Sequence, residues 1–251
     1  MKIVVCAKVV ATLGDEVEFT PEGTDVDPEL VEWSVNEWDT YATEEALRLR
    51  EAAGEGEVVV ATVGGEDAEE AIRRCLAMGA DRALRIDPGP GPQDPLSVAR
   101  ALAGPIAEEG PDLVLTGVQS SDAVQAATGG MLAALLELPS VAVVTELAHQ
   151  DGTLVVHREL EGGLVDLVEV AMPALLTIQT GINEPRYATL RAIKQARQKE
   201  ITVRAMEADG APCYRIRQMF VPARGEGATM LGDDPGEVAQ RITELVQGQL
   251  R

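Results

Sequence analysis

Cysteine is nearly absent: Cys6, Cys75 and Cys213 are the only three, odd in number and far apart. That spacing excludes a disulfide framework and the paired ligands of a zinc site, so all three are expected to be small buried hydrophobes. Histidine is as thin, with His149 and His157 in strand or turn contexts that lack a ligand spacing. Gly-x-Ser-x-Gly, His-Glu-x-x-His and Gly-x-Gly-x-x-Gly are missing, so nothing nominates a nucleophile or a metal-held water. Long apolar runs are also missing: none reaches the roughly 20 residues of a spanning helix. Met1-Lys2 leads straight into a strand pattern rather than a signal peptide, which predicts a cytoplasmic protein. Bases are outnumbered by acids, 21 to 42, and the net charge of −21 repels nucleic-acid phosphates. Acid pairs such as Asp25/Asp27 and Asp233-Asp234 read as solvated loop carboxylates rather than metal ligands.

What is present is alternation. Ile3 to Ala7 and Val58 to Val63 are short apolar runs rich in Val, Ala83 to Ile86 and Leu113 to Thr116 are similar runs, and all four are of the kind that form buried parallel strands. Between them lie helical spacings: Ala42, Ala46 and Leu49, then Ala68 to Leu76 ending at Gly79, then Leu96 to Ile106 ending at Gly110. Each glycine is read as a left-handed stop, and Asp94-Pro95 as the cap and first residue of the third helix. This order predicts an α/β fold, a doubly wound and mostly parallel Rossmann-like sheet with a ligand crevice beyond the strands' carboxyl ends. After Pro139 the helices stop. Val141 to Val144, Leu154 to Arg158, Val165 to Val170 and Ala174 to Ile178 follow one another too closely for crossovers and read as hairpins or a sheet extension, with Gly162-Gly163 a turn.

From Ala205 to Asp233 apolar periodicity fades, and Asp234-Pro235 then caps a helix bearing Val238, Ile242 and Leu245. Residues 1–204 are therefore expected to form the α/β domain. Residues 205–251 are expected to form an arm that needs a surface to lie on, its own domain or another subunit.

Two segments carry candidate function. Thr116-Gly117-Val118-Gln119-Ser120-Ser121-Asp122 follows the fourth strand and is expected to open a helix through Ala123, Ala127, Thr128, Gly129, Gly130 and Met131. Free N–H groups and a positive helix end there suit a phosphate, although no lysine accompanies the loop; a plain helix cap and a nucleotide site both fit. Gly129-Gly130 points to a close approach of backbone or ligand. The second segment, Asn183 to Leu190, leaves an apolar strand and enters the one basic stretch of the chain. There Arg186, Arg191, Lys194, Arg197, Lys199 and Arg204 face a single acid, Glu200. Pro185 forces a turn before a short helix with Leu190, Ile193 and Ala196. A docking element and a solvated surface helix both fit that pattern.

Three separated segments together resemble the β subunit of electron transfer flavoprotein. They are Val156-His157-Arg158-Glu159-Leu160-Glu161-Gly162-Gly163 with Met172-Pro173-Ala174-Leu175-Leu176-Thr177, then Asn183-Glu184-Pro185-Arg186-Tyr187-Ala188-Thr189-Leu190, and thirdly Cys6-Ala7-Lys8 with Asn36 to Ala46 and Ala77 to Arg82. The resemblance implies an electron carrier on an adenine nucleotide α hydrolase-like fold, paired with an α subunit that holds most of the FAD. It also implies AMP in this subunit and a C-terminal arm around the α subunit. On that resemblance Cys6, Asn36 and Val63 lie on the adenine side, and Ser120, Asp122, Gln125, Ala126, Ala127 and Thr128 on the phosphate side. Ala126-Ala127 departs from an Asn-Gln pair common in the family and leaves only backbone contacts. Trp38 aligns near the flavin ring, Glu159 near the subunit boundary, and Leu190 at the tip of a dehydrogenase-docking loop (183–199) rimmed by Arg191, Lys194 and Arg197. The implied partners are flavoprotein dehydrogenases, such as acyl-CoA dehydrogenases of fatty acid oxidation, and a membrane quinone oxidoreductase. Two alternatives stand: a bifurcating member with a second FAD in place of AMP, and a free-standing nucleotide sensor or hydrolase.

Overall fold

The computed structural model describes residues 1–14, 17–89, 94–150, 152–206, 212–223 and 227–249. In chain order the elements are β1 (Lys2–Cys6), β2 (Val9–Thr12), β3 (Glu32–Val35), α1 (Glu37–Ala53), β4 (Glu57–Val63), α2 (Ala68–Met78), β5 (Arg82–Asp87), α3 (Pro95–Glu109) and β6 (Leu113–Gly117). They are followed by α4 (Thr128–Leu135), β7 (Ser140–Gln150), β8 (Thr153–Glu159), β9 (Val165–Ala171), β10 (Ala174–Ile178), α5 (Leu190–Ala196), β11 (Ile201–Ala205) and α6 (Pro235–Gln249).

One nine-stranded sheet runs β11-β5-β4-β1-β6-β10-β7-β8-β9. Every pairing from β11 to β7 is parallel, and only β7-β8 and β8-β9 are antiparallel. The central strands are apolar throughout because helices cover both faces. In β1, Ile3 and Val5 enter the core under α1 and α2, while Val4 and Cys6 enter the core under α3 and α4. Asp94 caps α3 as its sequence announced, accepting from the N–H groups of Leu96 (2.9 Å) and Ser97 (3.0 Å). Gly110 ends α3 in the left-handed conformation (φ 57°), whereas Gly79 ends α2 at φ 139°, positive but away from αL.

The chain after Pro139 extends the sheet. β7, β8 and β9 form the antiparallel flank, and β10 then returns to insert between β6 and β7. Three strands carry no clear sequence signal. The β2-β3 ribbon is a separate antiparallel pair, and β11 adds an edge strand in register with β5. The thiols split: Cys6 and Cys75 are buried as expected, but Cys213 is exposed, on a surface segment whose backbone N–H meets Asp94 at the cap of α3. Of the arm, residues 207–211, 224–226 and 250–251 lie outside the described residues. Its first part rests on the domain, through Cys213 N–H on Asp94 (2.7 Å) and Met219 N–H on the carbonyl of Gly23 (2.7 Å). By contrast, α6 buries none of its residues. No helix among the described residues is long and apolar enough to cross a membrane.

Candidate functional site

The sheet order reverses between β1 and β6, since β4 and β5 lie on one side of β1, and β6 and β10 on the other. Such a switch point leaves a crevice at the carboxyl ends of the two strands. Cys6 and Lys8 come from the end of β1, Asn36, Trp38 and Asp39 from the start of α1, and Val63 from the end of β4. The loop from Gly117 to Ala127 completes the rim.

Asp39 ties the crevice together. Its carboxylate accepts Lys8 N–H at 2.7 Å and Gly117 N–H at 2.9 Å, joining the ends of β1 and β6 through one buried side chain. Burial pushes this carboxyl up to about 7, while bonds from Lys8, Asn36 and Gly117 pull it the other way. Burial also raises the Cys6 thiol, and the charge of Asp39 adds to that. Gly117 is required here because a Cβ would stand 2.6 Å from Trp38 Cβ and collide with Asp39 as well. Asn36 occupies the cap position of α1 without capping it. Its side chain is turned to the loop, donating to the carbonyl of Gln119 (2.8 Å) and accepting from Ser121 N–H (3.2 Å).

The loop itself differs from the sequence expectation. Ala123 to Ala127 are not helical; α4 starts only at Thr128, because Val124 (φ 50°) and Ala126 (φ 48°) adopt left-handed backbone. Non-glycine residues held there cost on the order of 1 kcal/mol each, a strain that clusters at ligand sites. No side chain caps α4, so the first-turn N–H groups of Thr128, Gly129 and Gly130 stay uncapped donors for an anion. Gly129 is a true close approach, since a Cβ would lie 2.7 Å from both Thr116 Oγ1 and Thr177 Cγ2; Gly130 faces open space. A lysine does reach the loop, from just past the end of β1. Lys8 Nζ donates to both carboxylate oxygens of Asp122 (2.6 and 2.7 Å) and to Ser120 Oγ (3.2 Å). Burial opposes ionisation of Asp122, yet the bonds from Lys8 and Ser120 hold its carboxyl below the usual range. Gln125 donates to the Tyr214 hydroxyl, which brings the arm to the rim of the same loop. The donor set thus fits a phosphate: backbone N–H groups at an uncapped helix start, with Lys8 balancing Asp122.

Trp38 is half-buried, and its indole Nε1–H donates to Gln179 Oε1 at 2.9 Å. Gln179 Nε2 in turn donates to Glu159 Oε2 at 3.3 Å, at the exposed end of β8. The structure therefore joins two residues that the resemblance named separately, by way of one it did not name. Leu190, Arg191 and Lys194 gather elsewhere, exposed on α5, with Arg197 exposed just past its end. Leu190, Arg191 and Lys194 line a shallow pocket of about 380 Å³ with Gln195 and Gln198. The basic stretch divides in two. Arg186 pairs with Glu44 and Glu51, Lys199 donates to the carbonyls of Leu76 and Ala80, and Arg204 pairs with Glu108. Arg191, Lys194 and Arg197 make no ion pair among the described residues. Asp39, Lys8, Gln179 and Arg186 are the residues that sequence reasoning did not assign to a site. Lys8, Asp39 and Arg186 stood within segments that carried the resemblance, without a role of their own, and Gln179 carried no signal.

A crevice at the switch point of a mostly parallel sheet, rimmed by a loop with uncapped helix N–H groups, places the chain in the doubly wound α/β class. The chain belongs to the electron transfer flavoprotein family, whose domain model, described as "Electron transfer flavoprotein domain", matches residues 26–209. It is 41% identical to the electron transfer flavoprotein subunit beta of Methylophilus methylotrophus, over 98% of each chain. It is 36% identical to the human subunit beta over 81% of this chain and 80% of that one. The subunit CarD of the caffeyl-CoA reductase-Etf complex of Acetobacterium woodii is 34% identical over 98% of each chain.

Proposed function

We propose that this chain is the β subunit of a heterodimeric electron carrier: it pairs with an α subunit that holds FAD, binds AMP in the switch-point crevice and presents α5 to flavoprotein dehydrogenases. The carrier then delivers electrons to a membrane quinone oxidoreductase. The near-full-length likeness to the Methylophilus subunit carries this reading. An unattached α6, with Ile242, Leu245 and Val246 exposed, suits an arm that lies on a partner. The adenine end of AMP would lie by Cys6, Asn36 and Val63. Its phosphate would take the N–H groups around Thr128 and the Ser120 hydroxyl, near Gln125, Ala126 and Ala127. FAD, when bound to the partner, supplies the redox chemistry, and Trp38 and Glu159 would border it. Leu190 is the docking anchor, with Arg191, Lys194 and Arg197 a steering rim that permits weak, exchangeable contact.

The test is Leu190→Ala in the assembled heterodimer, assayed as the electron acceptor of a reduced acyl-CoA dehydrogenase. The expected result is a KM for the heterodimer raised about tenfold with FAD content intact; an unchanged KM removes the docking role. The CarD likeness keeps a second reading in play, a second FAD in place of AMP. Two flavins in the purified heterodimer would select it.

A further inference from the structure

Tyr187 and Leu190 are 91% and 81% exposed, yet they stand on a segment that leaves a fully buried strand, β10. A large apolar side chain on a short loop would ordinarily fold back onto its own domain, because burial is favourable by about 2 kcal/mol for a leucine. Something must hold this segment out, and the hydrogen bonds on either side of it do.

On the upstream side, Asn183 Nδ2 donates to the carbonyl of Tyr41 (3.0 Å) and to Glu45 Oε2 (2.9 Å). Arg186 grips Glu44 three times, through its backbone N–H (3.1 Å), Nε (2.8 Å) and Nη2 (3.0 Å). Its outer nitrogens also reach Glu51, at 2.7 and 3.2 Å. Glu44 is a buried carboxylate, only 4% of its side chain exposed, so it cannot find water in place of the guanidinium. Burial opposes its ionisation, but Arg186 and Arg48 keep it below the usual range. Downstream, Ala196 is buried, and Arg73 Nη1 donates to the carbonyls of Ala196 (2.7 Å) and Lys199 (2.6 Å). Thr189 caps α5 by accepting Ala192 N–H (3.2 Å), which fixes the start of the helix between the two anchors.

We propose that Arg186, held by Glu44 and Glu51 of α1, is a positioning residue that keeps the Leu190 apex projected for partner docking, with Arg73 of α2 securing the far end. This rests on the docking reading given above. The fork of one guanidinium across two carboxylates fixes orientation as well as distance, which a lysine does not reproduce. The same helix carries Asn36, Trp38 and Asp39 at its other end. The clamp therefore registers the docking apex against the crevice through a rigid rod.

The test uses the heterodimer with its α subunit and an acyl-CoA dehydrogenase that reduces the wild-type complex. Removing Arg186 alone strands a buried carboxylate, so the main variant is the pair Arg186→Met with Glu44→Gln, beside Arg186→Lys. The paired variant is expected to raise the KM for the heterodimer about tenfold at unchanged kcat and FAD content, and to speed amide exchange at residues 187–194 alone. Arg186→Lys is expected to fall between it and wild type. Added to Leu190→Ala, the paired change is expected to raise KM no further, because it acts through that leucine. If Leu190→Ala raises KM but the clamp variant does not, or if the two effects add, the clamp has no positioning role. If Leu190→Ala itself leaves KM unchanged, the docking reading fails instead.

Discussion

Asp39 shows how one buried side chain can join the ends of two strands at a crevice. Both oxygens accept backbone N–H groups, from Lys8 and Gly117. An asparagine would turn an NH2 group toward one of those donors, so Asp39→Asn leaves a buried N–H unpaired at a cost of about 1–3 kcal/mol. Chemical denaturation at pH 7 measures that loss. The raised carboxyl also has a pH signature. Between its ordinary 3.8 and about 7 the folded chain keeps a proton that the unfolded chain has released, so the contribution of Asp39 to stability falls as pH rises through that window. The difference in melting temperature between wild type and Asp39→Asn should therefore shrink from pH 5 to pH 8; a constant difference contradicts the assignment. Sequence could announce the Asp94 cap because its partners lie two and three residues away. It could not announce Lys8 on Asp122, 114 residues apart, or Arg186 on Glu44, 142 apart. Those pairs exist only once the sheet order has brought β1 beside β6, and β10 beside α1.

Among elements, the periodic ones could be read and the irregular ones could not. β1, β4 and β6 carry continuous apolar runs, β5 is apolar from Ala83 to Ile86 apart from Arg85, and their helices have spaced apolar positions, so both classes declare themselves locally. The start of α4 was misplaced because Ala123 to Ala127 look helical by composition, while two left-handed residues unwind them. β11 was missed because an edge strand with Val203 exposed lacks a buried pattern. At the amino-terminal edge of the sheet, Arg82 bridges Glu57 and Glu109, and Lys2 joins Glu109 at 3.2 Å. Arg82 first, then Lys2, holds the Glu109 carboxyl down to about 2. This group is depressed, so its contribution is full above its ordinary 4.5 and is lost as pH falls toward 2. Glu109→Gln should accordingly flatten the acid limb of the stability profile between those values while leaving α3 folded. Circular dichroism during acid titration reads this directly, and an unaltered limb contradicts it.

Across the whole molecule, charge and function are segregated. In a chain of net charge −21, Arg191, Lys194 and Arg197 beside Leu190 make no ion pair among the described residues, while Arg186, Lys199 and Arg204 are used internally. Long-range steering by such a rim weakens with salt, since screening acts over about 8 Å at physiological ionic strength. The opposite end of the chain is unsatisfied in another way: α6 buries nothing, although its Asp234 cap is in place, with Glu237 N–H at 3.0 Å. An exposed helix of this kind suits the proposed arm, whose surface would be a separate chain. Heterodimer assembly and nucleotide content are thus two faces of one claim. Native mass spectrometry of the chain co-expressed with its α subunit, with extracted cofactors quantified, tests it most directly. The account predicts a one-to-one heterodimer carrying one FAD and one AMP; a stable homodimer of this chain that turns over ATP would contradict it.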